Sequence, residues 1–286
     1  LRIVDFDTFI DLERPNVEWL VEGLIPKPGM IELLGPPKAG KSFLALDVAF
    51  RVARGEQFLG RPCKESKVLY LQLDNSEKVT RDRGVQLRLA GYDTKAPNLV
   101  MIHPDDTVRP LNITMAHGKS YLRNAVRSAN PSLIVIDTLR EIHSDDENDS
   151  TAMKLVMDAI EEVSTDRSLL LVHHTSKIAP EVTHPDPIQS SRGSSYITGK
   201  VDAYWLLYHN TLSLTSRWDE PLEYPCKQNA SGMFDFPDTL PIHEIRQIVI
   251  DLKSANPHLG KAELAKIALN IHKISRATFH RIYHTL

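Results

Sequence analysis

Six short apolar runs, at residues 30–34, 67–73, 98–102, 132–136, 168–172 and 203–208, recur along the chain, and several are hydrophobic at almost every position. A strand covered on one face alternates apolar and polar side chains, whereas a continuous apolar run marks a strand buried on both faces, as in a parallel sheet. Between these runs the hydrophobic spacing lengthens to the helical period. Amphipathic patterns over residues 43–54, 77–89, 115–128 and 150–165 predict helices, with Ser150 as the N-cap of the fourth. Strand and helix in alternation predict an α/β domain with a mainly parallel sheet. Residues 177–195 lose periodicity and hold Pro180, Pro185 and Pro187, which predicts a mobile loop. Short β segments at 211–215 and 227–236 then predict a hairpin extension of the sheet edge. A proline-flanked linker at 235–241 leads into a tail of three helices, 241–254, 261–270 and 275–285, with Gly260 closing the first connection and Ser275 capping the last helix. The expected division is an α/β domain over residues 1–240 and a small all-α domain over 241–286.

Composition narrows the class. With 286 residues, 42% hydrophobic and 25% charged, the chain has the balance of an ordinary globular protein with one large core and room for a small appendage. No apolar run approaches the roughly 20 residues that cross a bilayer, and no basic-then-apolar leader precedes the first strand, so a cytoplasmic location without membrane contact is expected. The first residue is Leu1, as expected of a fragment. Cys63 and Cys226 are far apart with no C-x-x-C, which predicts two unpaired, buried or partly buried thiols. The formal charge of −3 hides an asymmetry. Residues 241–286 hold seven Lys/Arg against three acids, a net of +4, so residues 1–240 carry −7. A basic tail on an acidic body points to nucleic-acid contact, with a solvated helical face as the alternative.

The strongest chemical signal is Gly35-Pro36-Pro37-Lys38-Ala39-Gly40-Lys41-Ser42, which fits G-x-x-x-x-G-K-[ST] and lies between the 30–34 strand and the 43–54 helix. Such a loop turns its backbone N–H groups onto a phosphate at a helix N-terminus, brings Lys41 to the β/γ-phosphates and offers the Ser42 hydroxyl to Mg²⁺. ATP and Mg²⁺ are therefore the expected ligands. Asp137, closing the apolar run 133–136, has the placement of the carboxylate that holds Mg²⁺ through water in such sites.

Further segments carry a family resemblance. Ile134-Val135-Ile136-Asp137-Thr138-Leu139-Arg140, Asp146-Glu147-Asn148-Asp149, Val172-His173-His174-Thr175-Ser176-Lys177, Arg192-Gly193-Ser194-Ser195 and Val201-Asp202-Ala203 follow one another in order, and Trp19-Leu20-Val21-Glu22-Gly23 precedes the phosphate loop. Together they resemble the RecA-like ATPases typified by the plasmid replicative helicase RepA, over about two thirds of the chain. The resemblance implies a RecA-like core whose subunits form a homo-oligomer, expected to be a hexamer, with nucleotide between subunits. It implies that His174 senses the γ-phosphate. Arg192 would be an arginine finger reaching the neighbouring subunit's site, with Lys200 a second candidate cation there. The loop 177–189, through Lys177, would face single-stranded DNA in a central channel, although without an aromatic residue it makes a poor stacking platform.

One position departs from the family. Where its members end the strand after the phosphate-loop helix in the Glu that acts as base for the attacking water, this chain has Asp74-Asn75. Aspartate reaches about 1.5 Å less, and misplacement on that scale costs on the order of a hundredfold in rate. Asp74 or Glu77 would then position the water. In the tail, Lys261 to Ala268 followed by Ile274 to Ile282 resembles a helix-turn-helix, with Ser275, Arg276, Thr278, His280 and Arg281 as candidate duplex-DNA contacts; small three-helix units also bind proteins. Two functions follow as expectations: an ATP-dependent helicase-type motor in DNA replication or recombination, or a nucleotide-gated DNA clamp or loader with weak hydrolysis. A small-molecule kinase would leave the His173-His174 and Arg192-Gly193 segments without a role.

Overall fold

The computed structural model describes residues 4–11, 17–103, 111–179, 181–236, 242–272, 274, 279 and 282–283. The six apolar runs become six parallel strands of one sheet: β1 (Gly29–Gly35), β2 (Val68–Gln72), β3 (Leu99–Ile102), β4 (Leu133–Asp137), β5 (Ser168–His174) and β6 (Ala203–Tyr208). Two more, β7 (Thr211–Ser216) and β8 (Leu222–Pro225), add antiparallel to β6, and the order across the sheet is β8-β7-β6-β1-β5-β4-β2-β3. Parallel pairing puts the carboxyl ends of β1, β2, β4 and β5 side by side, and every sequence-predicted body residue except Lys200 follows one of those ends.

Four helices cover the sheet: α1 (Lys41–Arg54), α2 (Glu77–Leu89), α3 (Ala116–Ala129) and α4 (Ser150–Val163). Successive strand residues point to opposite faces, so one strand feeds two cores. Val68 and Tyr70 of β2 pack with Leu44, Val48 and Val52 of α1, while Leu69 and Leu71 pack with Leu122 of α3 and Met153, Val156 and Ile160 of α4. Helix α2 buries only Leu87 and lies at the surface. In the tail, α7 (Ile242–Ala255) and α8 (Lys261–His272) form a third cluster of Ile245, Val249, Leu264, Ala265 and Ala268 with Ile274, Phe279 and Ile282. Leu269 of α8 packs against the first body cluster. Most of the third expected helix, apart from the helical Phe279, Ile282 and Tyr283, and much of the 235–241 linker lie outside the described residues.

Three sequence-based expectations are corrected. Residues 227–236 do not extend the sheet; Lys227–Gln228 and Phe234–Asp235 form a separate hairpin, and the outer strand is the unpredicted β8. That hairpin spans α1 and α2: Gln86 donates to Ala230 O at 2.8 Å, Asn229 donates to Tyr92 Oη at 3.0 Å, and a Cβ on Gly232 would come within 2.3 Å of the Phe43 ring. The 177–195 stretch is stapled at its base by a Thr175–Ser191 bridge and contains α5 (Pro187–Ser190), with α6 (Ser195–Lys200) following. The cap of α4 is Asp149, one residue before Ser150; its carboxylate accepts from the backbone N–H of Thr151 at 2.8 Å and Ala152 at 3.2 Å. A charged acceptor at a helix N-terminus outcompetes a hydroxyl, since it also meets the helix dipole. Cys63 and Cys226 are free and buried, and no described helix is long and apolar enough to cross a membrane.

The cap assignment is measurable by chemical denaturation. Asp149→Ala should lower stability by about 1 kcal/mol, while Ser150→Ala should stay within about 0.5 kcal/mol of wild type.

Candidate nucleotide-binding site

Strand β1 ends at Gly35, and the chain turns through residues 36–40 into the N-terminus of α1. Two glycines are obligatory there. A Cβ on Gly35 would come within 2.8 Å of the Leu207 carbonyl on neighbouring β6, and Gly40 has φ +95° with the Phe234 ring 2.7 Å from where its Cβ would lie. The hairpin of residues 227–235 therefore roofs one side of the phosphate loop.

Lys41 is buried, and its Nζ donates to Gly35 O at 2.9 Å and Pro36 O at 3.0 Å. Burial pulls its pKa down to about 8, against the opposing pull of Asp137 and Asp74. His174 Nδ1 lies 3.4 Å from the same ammonium, and burial and then Lys41 hold its imidazole below the ordinary range, so it is neutral at pH 7. Across the loop, Ser42 Oγ donates to Asp137 Oδ1 at 3.1 Å and Tyr70 Oη donates to Asp137 Oδ2 at 2.9 Å. Asp137 is fully buried, and burial raises its pKa despite the two hydroxyl donors.

These groups border a cavity of about 340 Å³ lined by Lys38, Gly40, Lys41, Ser42, Asp74 and His174 among the predicted residues. Phe43, Asn75, Arg83, Thr138 and Gln228 complete the wall, and sequence reasoning passed over all five. Arg83 stacks its guanidinium 4.8 Å over the Phe43 ring and reaches Asn75 Oδ1 at 3.4 Å. Nothing in the sequence separates Arg83 from its helix neighbours Arg81 and Arg88, and Gln228 arrives from a hairpin far along the chain. Phe43, Asn75 and Thr138 each had a signal, as the residues following Ser42, Asp74 and Asp137. Glu77 does not line the cavity; it pairs with Arg81 at 2.6 Å on the helix surface.

A second cavity, of about 750 Å³, opens on the other side of the loop between Pro36, Pro37, His174, Lys177, Arg192 and the Tyr208-His209 turn. Arg192 is half-exposed there, and its Nε lies 3.0 Å from Glu147 Oε2. Lys200 is at the opposite end of β1, paired with Glu161 at 2.8 Å. Ser275, Arg276, Thr278, His280 and Arg281 lie outside the described residues.

Among the described residues no three His, Cys, Asp or Glu side chains converge as a metal cage. The oxygen donors Ser42 and Asp137 nevertheless suit Mg²⁺, which takes one or two protein oxygens, phosphate oxygens and water. A buried carboxylate whose pKa is raised by burial gains from a cation beside it.

A RecA-like P-loop core is thus defined by the sheet order and by the loop, carboxylate and histidine at its carboxyl edge. Residues 1–179 match the family described as AAA domain, and the chain belongs to that family. Its fold is similar to the ATPase domain of G40P, at 13% identity and a TM-score of 0.52 over 72% of this chain and 84% of that one. A KaiC-like protein from the hyperthermophilic archaeon Pyrococcus horikoshii OT3 is similar at 14% identity, with a TM-score of 0.47 over 78% of this chain and 95% of that one.

The pKa of Lys41 carries a sign. Below about pH 8 the free protein holds the ammonium ready, and above it nucleotide binding must first take up a proton. Affinity for ATP should fall by up to about tenfold per pH unit above pH 8, where the phosphates, whose last ionisation lies near pH 6, no longer titrate. Titration of a fluorescent ATP analogue between pH 7 and 9.5 measures this.

Proposed function

We propose that the chain is an oligomeric, hexameric ATPase that acts on DNA as a helicase-type motor in replication or recombination. The observation that carries the ATPase reading is the convergence of Lys41, Ser42, Asp74 and His174 on one cavity, with Asp137 buried behind its wall and hydrogen-bonded to Ser42, from four separate sequence segments. Lys41 and the loop N–H groups hold the phosphates, and Asp74 orients the attacking water. Ser42 and Asp137 would hold Mg²⁺, which when bound neutralises the β- and γ-phosphate oxygens. His174, neutral and 3.4 Å from the Lys41 ammonium, donates a hydrogen bond to the γ-phosphate and reports its presence to the loop that follows β5. Arg192 supplies the guanidinium that stabilises charge on the transferring phosphoryl group of a neighbouring subunit. The ATPase name of the G40P domain belongs to that protein; for this chain the support for a DNA-acting motor is the shared fold together with the basic tail.

The clamp reading has its own observation. Asp74 is exposed and one methylene short of the usual glutamate, so the water is held loosely and turnover is slow. Steady-state ATPase with and without single-stranded DNA separates a stimulated motor from a clamp, and mass measurement with a non-hydrolysable analogue reads the assembly.

Lys41→Ala should abolish nucleotide binding in a folded protein; unchanged affinity would remove the phosphate-loop assignment. Asp74→Glu should raise basal hydrolysis and Asp74→Asn should lower it, each by about tenfold or more, with affinity nearly constant. If both match wild type, Asp74 is not the water-positioning group.

For the tail, residues 241–286 are proposed as a helix-turn-helix-like unit that contacts duplex DNA through Ser275, Arg276, Thr278, His280 and Arg281. Deleting them should weaken duplex binding and flatten its salt dependence, since fewer counterions are released. An unaltered salt slope with loss of oligomers would assign the tail to assembly.

A further inference from the structure

Glu147 lies in the Asp146-Glu147-Asn148-Asp149 loop between β4 and α4, yet its side chain is only 3% exposed. Its two oxygens face two cations. Oε1 is 3.5 Å from His173 Nε2, and Oε2 is 3.0 Å from Arg192 Nε. His173 is itself buried and hydrogen-bonds through Nδ1 to Glu32 Oε1 at 2.7 Å. Burial alone would depress the imidazole, but the flanking carboxylates outweigh it and hold its pKa at about 9, so two carboxylates face an imidazolium and a guanidinium. The cluster is neutral in sum, as a buried charge network must be to persist.

The turn that carries Arg192 is wrapped around the same glutamate through its main chain. Ser194 N donates to Glu147 O at 2.7 Å, and Gly193, at φ +94°, lies so close that a Cβ would come within 2.6 Å of that carbonyl. On the other side Ser191 Oγ donates to Glu32 Oε1 at 3.0 Å, pegging the turn to β1, the strand that feeds the phosphate loop. His173 precedes His174, so the strand position that anchors Glu147 adjoins the one beside Lys41. Arg192 meets Glu147 as an ion pair, its Nε 3.0 Å from Oε2 without hydrogen-bond alignment, while its side chain stays 53% exposed.

We propose that Glu147 is the positioning residue for Arg192: its buried carboxylate, flanked by His173, holds the guanidinium by charge in the wall of the cavity beside the phosphate loop, where its exposed part can meet a phosphate. This deepens the ATPase reading and rests on the role given there to Arg192. A flexible arginine spends most of its time in unproductive rotamers; a carboxylate clamped from beneath removes that freedom before the phosphoryl charge develops.

The test uses the full chain, measuring kcat and KM for ATP together with the Kd of a fluorescent ATP analogue. Arg192→Ala, at a half-exposed position, sets the reference. Glu147→Gln, which keeps shape and removes charge, and Gly193→Ala, which pushes the turn off Glu147 without touching a charge, should each lower kcat by about tenfold or more with Kd within about twofold. The double variant E147Q/R192A should be no slower than R192A alone, because Glu147 acts through Arg192. If Glu147→Gln does not fold, Gly193→Ala decides. Wild-type kcat in both single variants beside an impaired R192A overturns the positioning role, as does a full additive loss in the double variant. R192A turning over like wild type removes the reading of Arg192 and this role with it, whereas a wild type that binds the analogue without turnover defeats the ATPase reading itself.

Discussion

The carboxylate of Asp137 is fully buried at the end of a central strand, and the geometry of the site follows from how that charge is kept there. An ionised carboxylate removed from water is tolerated only with close donors, and its two oxygens are met by Ser42 at the start of α1 and Tyr70 on β2. Those two hydrogen bonds fix the first turn of the phosphate-loop helix against two neighbouring strands. With α1 so placed, Lys41 falls under the loop and against His174 on β5, and no freedom remains in how the four strand ends face one another. The same carboxylate, held by hydroxyl donors instead of a guanidinium or ammonium, keeps its charge unneutralised for a cation.

The parts of this arrangement legible in the sequence were those encoded locally. Each parallel strand announced itself as a continuous apolar run, and the strand-loop-helix around Lys41 has a fixed spacing, so the sheet and the phosphate loop could be read along the chain. Asp137 was legible because it ends such a run, and His174 through the family resemblance. The α2 helix was predicted with both ends correct, and in the structure Ser76 caps its start.

What escaped was non-local. The roof over the phosphate loop comes from the Lys227–Gln228 and Phe234–Asp235 hairpin, whose alternation reads equally well as a sheet edge; only the Gly40 and Gly232 contacts with Phe234 and Phe43 reveal where it packs. Arg83 became part of the wall because its position on α2 meets the Phe43 ring, a relation no helical period discloses. Glu147 was visible as one acid among four, and nothing in that run distinguishes the residue that turns inward beneath Arg192 from the one, Asp149, that caps α4. The tail divided in the same way: its apolar spacing gave a self-contained cluster, while Leu269, which packs on the body, was indistinguishable from the rest of the helix.

The supply of positive charge inside one subunit argues for an assembled site. A nucleoside triphosphate brings about four negative charges at neutral pH, and phosphoryl transfer redistributes them over oxygens that must be stabilised where they emerge. Within the cavity, Lys41 has an ammonium already weakened by burial, His174 is neutral, and Arg83 is stacked on Phe43 toward the wall. Asp74 and Asp137 add two acids of their own. Even with Lys38 on the same wall and Mg²⁺ at Ser42 and Asp137, positive charge falls short of the phosphates, and a further guanidinium of the same chain, Arg192, sits across the loop in a separate cavity, paired with Glu147. On the proposed function, a residue that is charged, half-exposed and paired with Glu147 is what a neighbouring site lacking a cation would require, and closure of a ring would then be a condition for efficient chemistry.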